Sequence, residues 1–458
     1  MHSALESYLA ALQGKRIAVI GIGISNTPLI KLFLQAGLSV TACDQNQREM
    51  FQGTIEDLER LGAEVKLGPD YLQGLEQFQV IFRTPGMRPD LPELEAARAA
   101  GAEITSEMEV FFDVCPAHLI AVTGSDGKTT TTTMIAGLLS AAGYHTFLGG
   151  NIGRPLLSDV PNMEKEDMVV LELSSFQLMT MKRSPHIAVV TNLSPNHLDV
   201  HISMEEYVNA KRNIYLHQTS SDRVILNWDN RITRSFADTA AGNILYFSRQ
   251  SELPQGVCLQ NGVITIRGRE VLPVCDILLP GVHNIENYMA AIAAVDGLVP
   301  DSVIRTYAKN FGGVEHRIEL VRTLNDVRYY NDSIASSPSR TIAGLRSFQE
   351  KVILIAGGYD KHIPYDVLGP EIVSHVKKLI LTGATGPKIR TATECAPHYQ
   401  AGMPEIEEYA QFRDAVLAAV RSAQPGDIVL LSPASASFDQ FKNFAQRGNR
   451  FKQIIQEL

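Results

Sequence analysis

One stretch of this chain, residues 119–130, limits what the rest can fold into. Its apolar first residues predict a buried strand, and the Thr-, Met-, Ala- and Leu-rich run after it predicts a helix. Between them lie Gly124 and Gly127, where glycine lets main-chain N–H groups approach an anion at the helix N-terminus. This order predicts a phosphate-binding loop, with Lys128 on the outer phosphates and the Thr129 hydroxyl on a magnesium ion.

The loop is shorter than the usual G-x-x-x-x-G-K-[ST] spacing, which leaves a second interpretation open. In that interpretation the stretch is an ordinary strand-turn-helix connection with a solvated lysine. The phosphate loop is favoured because strand, glycines, Lys128-Thr129 and helix all occur in the required order.

Length and composition set the broad class of protein. The 458 residues are too many for one core, so two or three domains of about 100–200 residues are expected. A net charge of −9 without a basic patch argues against a nucleic-acid partner. The five cysteines are scattered, and the sequence has no signal-peptide pattern and no apolar run of about 18 residues. These features predict a cytoplasmic protein with reduced thiols and no membrane partner.

The first predicted domain, residues 1–110, alternates strands with helices, which indicates a parallel, Rossmann-like sheet. An apolar strand leads into Gly21-Ile22-Gly23 and then into a helix. Asp44 follows the next strand, about twenty residues after these glycines, where a carboxylate is able to reach a ribose or a base. The third glycine of the dinucleotide fingerprint is missing, so a Rossmann-like layer without a ligand remains an equal alternative.

The second predicted domain, residues 111–312, carries the phosphate loop and more polar residues at strand ends. One predicted strand ends in Glu172, which suits a magnesium ligand, although for an isolated glutamate a solvated carboxylate is the stronger alternative. The next strand leads to His197, either a metal ligand or a structural histidine. A later helix carries Lys211, and its periodicity does not decide whether this lysine faces solvent or the cleft.

Asn284 and Asn287 open an alanine-rich helix predicted over residues 288–295, and they either hydrogen-bond a purine or cap the helix. The third predicted domain, residues 313–458, again alternates strands and helices. The predicted fold class is therefore α/β in three domains. They are a Rossmann-like N-terminal domain, a central P-loop ATPase-like parallel sheet and a C-terminal Rossmann-like doubly wound domain.

Motifs along the whole chain resemble those of the Mur ligases of peptidoglycan synthesis. In order, they are Thr123-Gly124-Ser125-Asp126-Gly127-Lys128-Thr129, Glu172-Leu173-Ser174-Ser175-Phe176-Gln177, Asn284 with Asn287, Glu315-His316-Arg317, Asn331-Asp332-Ser333 and Gly357-Gly358-Tyr359-Asp360-Lys361. Gly150-Asn151-Ile152-Gly153 and residues 431–444 are similar to the D-glutamate-adding branch of that family.

The resemblance implies an ATP-dependent amide ligase. The carboxylate of UDP-N-acetylmuramoyl-L-alanine would take the γ-phosphate of ATP, and the amine of D-glutamate would then displace phosphate from the acyl phosphate. A carboxylate is a poor electrophile until it carries such a leaving group, and phosphoryl transfer depends mainly on positioning and charge neutralisation. The resemblance also implies two Mg²⁺ ions and a carbamate formed on Lys211 from CO₂. A monomer is expected.

The resemblance further implies a role for each matching residue. Catalytic roles fall to Lys128, His197 and Lys211, and metal binding to Thr129, Glu172, His197 and Lys211. The residues expected to bind ATP are Gly124, Ser125, Asp126, Gly127, Lys128, Thr129, Thr130, Asn284, Asn287, Arg317 and Asp332. Those expected to bind the UDP-linked substrate are Gly23, Ile24, Ser25, Asp44, Gly86, Asn151 and His197. Those expected to bind the amino acid are Ser336, Lys361, Ser437, Phe438 and Phe444.

Three residues depart from the family pattern. Asn196 replaces a common Asp before His197, Ile334 replaces a common lysine, and Asn26 replaces a small residue in the first glycine turn. The first two changes remove a carboxylate from the metal region and a cation from the phosphate region.

Two rival functions remain. One is a sibling ligase that adds another amino acid or extends a folate, and the other is a nucleotide-gated binding protein without ligase activity. The Gly21-Ile22-Gly23 turn with Asp44 favours a UDP head group over a folate. The joint presence of both lysines, the glutamate and the histidine expected at the reaction centre favours an enzyme.

Overall fold

The structure, a computed structural model, describes residues 4–51, 53–194, 201–361 and 363–458. It divides into two compact units, Met1–Val274 with Ile285–Tyr307 and Cys275–Asn284 with Ala308–Leu458. Three sheets flanked by helices confirm the predicted α/β class. The domain bounds at residues 110 and 312 stay a prediction. In the described part of the chain, no helix is both long and apolar enough to cross a membrane.

The first sheet is parallel throughout. Its strands are β1 (Ile17–Ile20), β2 (Val40–Asp44), β3 (Glu64–Leu67), β4 (Val80–Phe82) and β5 (Glu103–Thr105). Its helices are α1 (Ala4–Ala11), α2 (Asn26–Gln35), α3 (Thr54–Arg60), α4 (Pro92–Ala99) and α5 (Glu107–Val114). The order β3-β2-β1-β4-β5 puts β1 at the centre. Successive residues of β1 point to opposite faces, so Val19 shares a core cluster with α2, and Ala18 shares one with α4.

The second sheet has nine strands. They are β6 (His118–Thr123), β7 (Thr146–Gly150), β8 (Met168–Glu172), β9 (Ile187–Val190), β10 (Arg223–Asn227), β11 (Asn243–Ser248), β12 (Val257–Gln260), β13 (Val263–Ile266) and β14 (Arg269–Pro273). The strand order is β14-β13-β12-β11-β10-β9-β6-β8-β7, parallel from β7 to β12 and antiparallel beyond. The strand β6 therefore lies between β8 and β9, and the residues that follow these three strands share one edge.

The helices between and after these strands are α6 (Lys128–Ala141), α7 (Ser175–Leu178), α8 (Met204–Arg212), α9 (Arg231–Arg234), α10 (Val282–Val295) and α11 (Asp301–Asn310). The helix α10 begins before the predicted start at Tyr288 and includes both Asn284 and Asn287. Its first residues, Val, His and Asn, have low helix propensity, so local sequence does not reveal them as helical.

The third sheet is doubly wound, as predicted. Its strands are β15 (Glu319–Leu324), β16 (Val327–Asn331), β17 (Val352–Ala356), β18 (Val376–Thr382), β19 (Glu405–Tyr409) and β20 (Ile428–Leu431). Its helices are α12 (Pro338–Leu345), α13 (Gly369–His375), α14 (Gly386–Glu394), α15 (Phe412–Ser422) and α16 (Phe444–Gln456). The order is β15-β16-β20-β17-β18-β19, with an antiparallel edge at β15. One face packs on α12–α14 and the other on α15 and α16.

A buried arginine ties the first sheet to the second. Arg83, which follows β4, is only 1% exposed and donates to the carbonyls of its own turn at Pro85 and Met87 (3.2 and 2.8 Å). Its second terminal nitrogen donates to Thr180 Oγ1 at 2.8 Å and to the Phe176 carbonyl at 3.4 Å. Burial lowers the pKa of this guanidinium. The turn after β4 is thus fixed to the segment after β8.

A buried carboxyl lies in the same unit. Glu107 begins α5, and its Oε1 accepts a hydrogen bond from the Leu157 N–H at 3.2 Å. Burial raises the pKa of this carboxyl to about 7, against an opposing contribution from the main-chain N–H groups of Leu156 and Leu157. The folded chain therefore keeps a proton that the unfolded chain loses near pH 4.5.

This difference predicts a pH-dependent stability. Between about pH 4.5 and 7 the unfolded state binds fewer protons, so the free energy of unfolding should fall as the pH rises. Glu107→Gln, which cannot ionise, should lack that fall. Urea unfolding should show that, from pH 5.5 to pH 8, the free energy of unfolding of the wild type falls by roughly 2 kcal/mol relative to that of the variant. The exposed Glu93→Gln serves as control, and an equal difference at both pH values would contradict the assignment.

Candidate functional site

The predicted phosphate loop is present, between β6 and α6. Gly124 and Gly127 adopt φ angles of 151° and 76°, which other residues rarely adopt. A Cβ on Gly124 would collide with Thr191 Oγ1, and one on Gly127 would collide with Asn287 Oδ1. Both positions therefore require glycine for backbone conformation and for space.

Residues that follow β9 hold the loop in shape. The Ser125 N–H donates to the Asn192 carbonyl at 2.8 Å, and the Asp126 N–H donates to Asn192 Oδ1 at 3.0 Å. The Ser125 hydroxyl donates to the Ser194 carbonyl at 2.9 Å. Lys128 Nζ donates to the Ser125 carbonyl at 2.9 Å, so the ammonium group of this lysine lies against the phosphate loop.

The Glu172 carboxylate is buried at the end of β8 and accepts two side-chain hydrogen bonds. Thr129 Oγ1 donates to its Oε2 at 2.7 Å, and Asn151 Nδ2 donates to its Oε1 at 2.8 Å. A carboxylate and a hydroxyl at this spacing are hard oxygen donors that suit Mg²⁺. Among the described residues no group of three or more His, Cys, Asp or Glu side chains is arranged for a metal, so phosphate oxygens and water would complete the coordination.

The motif residues after Glu172 have a structural role. The Ser174 side chain accepts from the Gln177 N–H, and the Gln177 side chain accepts from the Ser174 N–H. This capping box starts α7 directly after the strand that ends in Glu172.

Lys211 points inward from α8 and is only 2% exposed. Its Nζ donates to Thr123 Oγ1 at 3.1 Å and lies 5.0 Å from the centroid of the Tyr207 ring. Burial, and then the charge of Lys128, lowers the pKa of this amine well below its usual value, and Glu172 opposes the shift. Lys211 thus faces Thr123 at the end of β6 and not solvent, with an increased share of the unprotonated, nucleophilic amine.

His201 was missed by sequence reasoning, which singled out His197 instead. Its buried ring stacks on Phe176, with 5.2 Å between centroids, and packs edge-on against Tyr207 at 5.3 Å. Its Nε2 lies 2.9 Å from Ser175 Oγ, and its Nδ1 lies 3.3 Å from Glu206 Oε2. In the sequence, the one feature that points to His201 is its position two residues before Ser203, which caps α8. His197 and Asn196 lie outside the described residues.

Asp44 forms hydrogen bonds within the first sheet and its glycine turn. The carboxylate accepts the Ile22 N–H at 2.7 Å and both the N–H and the side-chain amide of Asn46 at 2.9 Å. The departure at Asn26 is explained, because this buried amide donates to the Ile20 carbonyl at 2.8 Å and fixes the end of β1. The remaining predicted residues of this turn, Gly23, Ile24 and Ser25, join β1 to α2, and Ile24 is 82% exposed.

Gly86 lies in the adjacent turn after β4. A Cβ on Gly21 would come within 3.0 Å of the Thr84 side chain in that turn, so the two turns lie side by side. The predicted UDP-site residues of the first sheet therefore lie in neighbouring turns, where the Asp44 carboxylate stabilises the glycine turn. The predicted UDP-site residue Asn151 lies at the second sheet, where its side chain donates to Glu172.

The other predicted nucleotide residues are divided between the units. Asn287 belongs to the first unit, where its Oδ1 accepts from Thr131 Oγ1 at 3.3 Å, and Asn284, Arg317 and Asp332 belong to the second. Asp332 follows β16 and accepts from the Ser432 hydroxyl at 2.7 Å and from the Ile318 N–H at 3.3 Å. Burial raises the pKa of its carboxyl to about 7, although Arg317 and Arg340 oppose the rise. Arg340 donates to the Ile334 carbonyl at 3.1 Å, so a cation lies close to the position that lacks the family lysine.

The predicted amino-acid residues gather at the carboxyl edge of the third sheet. Lys361 Nζ lies 5.7 Å from the centroid of the Phe438 ring, which is 58% exposed. The Ser333 hydroxyl donates to the Phe444 carbonyl at 2.8 Å, and the Phe444 side chain is 39% exposed. Ser437 is buried, and the Ser336 N–H donates to the Ile334 carbonyl at 2.8 Å.

A second residue missed from the sequence, Arg447 of α16, holds this edge together. Its buried guanidinium donates to the hydroxyl and carbonyl of Ser333 (3.0 and 2.8 Å) and to the carbonyls of Ser435 and Ala436 (3.0 and 3.1 Å). Burial lowers its pKa to about 10. The segment after β20 is thus fixed to the segment after β16.

Three family models match the chain in sequence order. They are described as the Mur ligase MurD-like N-terminal domain at residues 15–106, the Mur ligase middle domain at 122–295, and the Mur ligase glutamate ligase domain at 316–435. Similar curated relatives named UDP-N-acetylmuramoylalanine–D-glutamate ligase come from Acetivibrio thermocellus, Ruminiclostridium cellulolyticum and Clostridium botulinum. They are 53%, 52% and 49% identical to this chain, and each similarity covers 100% of both proteins.

Solved structures share the fold. The UDP-N-acetylmuramate-alanine ligase of Thermotoga maritima superposes with a TM-score of 0.59 at 19% identity, covering 97% of this chain and 99% of that one. A UDP-N-acetylmuramoyl-L-alanyl-D-glutamate–2,6-diaminopimelate ligase gives a TM-score of 0.57 at 19% identity, covering 97% and 92%.

The phosphate loop allows a matched test of the glycine requirement. Gly127 and Gly14 share a φ of 76°, but a Cβ would meet Asn287 only at Gly127 and nothing within 4 Å at Gly14. Gly127→Ala should lower ATP affinity at least tenfold, as measured by calorimetry with Mg²⁺, because the loop must shift. Gly14→Ala should cost about 1–2 kcal/mol of stability and leave ATP affinity unchanged. Equal ATP affinities in the two variants would show that the contact is unimportant.

Proposed function

We infer that this chain, which belongs to the Mur ligase family, joins D-glutamate to UDP-N-acetylmuramoyl-L-alanine with ATP as the energy source. The products are the ligated UDP-linked dipeptide, ADP and phosphate, and the reaction belongs to the synthesis of peptidoglycan precursors. The observation that carries the proposal is the convergence of the phosphate loop, the buried Glu172 and the inward-facing Lys211 at one sheet edge. Full-length relatives that bear the name of this activity support the choice of substrates.

The first step forms a bond between an acceptor carboxylate oxygen and the γ-phosphorus of ATP, while the bond from that phosphorus to ADP breaks. Main-chain N–H groups of the loop and the N-terminus of α6 hold phosphate oxygens, and the Lys128 ammonium offsets their negative charge. When bound, Mg²⁺ neutralises phosphate charge, and Thr129 and Glu172 would hold one ion. A second ion, with His197 as ligand, stays a prediction.

In the second step the amine nitrogen of D-glutamate bonds to the acyl carbon and gives up a proton, and phosphate leaves with the electron pair of the C–O bond that breaks. D-Glutamate brings two carboxylates, so its site needs a cation and neutral donors. Lys361 supplies the cation at the edge of the third sheet, with Ser336 and Ser437 as hydroxyl groups and Phe438 and Phe444 as walls. The partial exposure of the two phenylalanines supports a surface that is available to a ligand.

We assign Lys211 as the site of a carbamate. The bond would form between Nζ of the unprotonated amine and the carbon of CO₂, with release of the amine proton, and the product is an anion. The depressed pKa of Lys211 supports the first requirement, a neutral amine. An anion in this position would complement Lys128 and a metal ion, whereas an ammonium would repel them.

The nature of the amino-acid substrate provides the test of function. Phosphate release should be measured with ATP, Mg²⁺ and UDP-N-acetylmuramoyl-L-alanine plus D-glutamate, L-glutamate, L-lysine or diaminopimelate in separate reactions. Turnover is expected with D-glutamate alone, and mass spectrometry should show the product gaining one glutamyl group. A preference for L-lysine or diaminopimelate would point to a sibling ligase, and no ATP turnover with any acceptor would point to a binding protein.

Removal of the Lys211 amine gives a second prediction. Lys211→Ala should lower kcat at least 100-fold because the anion that complements the charged site is lost. Millimolar acetate or formate should restore part of the activity, since a short carboxylate fits the space vacated by the side chain. The exposed Lys165→Ala should retain full activity without any response to acetate. Wild-type turnover in Lys211→Ala would show that this residue is not part of the reaction site.

The cytoplasmic location, the monomeric state and the three domain bounds remain predictions. The matched ranges 15–106, 122–295 and 316–435 support the division into three domains.

A further inference from the structure

A histidine with no assigned role, His201, lies behind the reaction centre of the first unit. It contacts the segment that follows Glu172 and the helix that carries Lys211. We propose that His201 is a positioning residue, which holds Glu172, the phosphate loop and Lys211 in the arrangement that phosphoryl transfer requires. This inference rests on the proposed function.

On one side His201 holds the start of α7. Its Nε2 bonds Ser175 Oγ at 2.9 Å, and its ring stacks on Phe176 with an angle of 6° between the planes. These residues come directly after the Glu172-Leu173-Ser174 segment. The capping box fixes the turn itself, so His201 acts on a short, rigid connection to the metal-binding carboxylate.

On the other side His201 holds α8. Its ring packs edge-on against Tyr207, at 71° between planes. The Tyr207 hydroxyl is hydrogen-bonded to Ser125 of the phosphate loop at 2.9 Å, and the face of the same ring lies under Lys211 Nζ. A displacement of His201 would therefore reach the loop and the lysine together.

The hydrogen bonds of His201 determine its tautomer. Arg88 pairs with the Glu206 carboxylate at 3.0 Å and lowers its pKa, so this carboxylate accepts hydrogen bonds and does not donate them. Burial lowers the pKa of the His201 ring, so the ring carries a single proton at neutral pH. Nδ1 donates that proton to Glu206, and Nε2 accepts from the Ser175 hydroxyl. Each ring nitrogen thus has one defined partner, which separate substitutions distinguish.

Three substitutions separate these contacts. His201→Phe keeps an aromatic ring against Phe176 and Tyr207 but removes both hydrogen bonds. His201→Gln places an amide oxygen near the former Nε2 and retains the acceptor for Ser175. His201→Asn places an amide nitrogen near the former Nδ1 and retains the donor to Glu206. The matched control is His118→Phe, because His118 also stacks on a ring, that of His186 at 4.3 Å, but begins β6 at the opposite edge of the same sheet.

The experiment measures kcat and the three KM values with ATP, UDP-N-acetylmuramoyl-L-alanine and D-glutamate. His201→Phe should lower kcat about 30- to 100-fold and change each KM less than about threefold, because a shift of reacting groups by about 1 Å costs this much rate. His201→Gln should recover most of the lost kcat, and His201→Asn should recover less, since it leaves Ser175 without its acceptor. His118→Phe should retain wild-type kcat.

A double-mutant cycle adds a sharper criterion. If His201 acts through Ser175, the losses in kcat from His201→Phe and Ser175→Ala should not multiply in the double variant. Hydrogen exchange of the α7 and α8 peptides, which needs no substrate, should rise in His201→Phe and not in His118→Phe. Wild-type kcat in His201→Phe, or multiplicative losses in the cycle, would overturn the inference. An inactive wild-type protein would instead overturn the proposed function, and unchanged hydrogen exchange would still count against His201.

Discussion

The buried carboxylate of Glu172 is the group on which the site depends. A carboxylate removed from water is costly unless donors surround it, and here Thr129 and Asn151 each give one hydrogen bond. Thr129 belongs to the first turn of α6, and Asn151 follows β7, so one side chain fixes three neighbouring strands and the helix after the loop. A Cβ on Gly150 would also collide with the Glu172 carbonyl, which explains the glycine before Asn151.

The charge of the nearby lysine depends on its surroundings. Burial, and then the charge of Lys128, lowers the pKa of the Lys211 amine, while the Glu172 carboxylate opposes this shift. The second unit has its own buried carboxyl at Asp332, with Arg317 and Arg340 nearby. Shifted pKa values of this kind are frequent at functional sites, and the buried carboxyl of Glu107 shows that structural groups have them as well.

Much of the fold is visible in the sequence because strand edges, glycines and alternation depend on local residues. The strands that end in Glu172 and at the phosphate loop are examples, and the doubly wound third sheet is another. His201 and Arg447 were not visible, because their importance comes from partners far along the chain or on other elements. The inward direction of Lys211 likewise depends on contacts with Thr123 and Tyr207, which no periodicity specifies. Gln177 belongs to one of the motifs that carry the family resemblance, and the structure shows that it forms part of a helix cap.

The hydrogen bonds of Arg83 limit how the first and second sheets of different homologues can be joined in a chimera. One guanidinium serves the turn after β4 and the segment at Phe176 and Thr180, so neither surface is complete without the other. A chimera that joined this first sheet to a second sheet without Thr180 would keep the bonds of Arg83 to its own turn but lose one side-chain acceptor of a buried guanidinium, at a cost of roughly 1–3 kcal/mol. In a domain exchange, residues 83–88 and 176–180 should therefore come from the same parent protein, with no crossover between them.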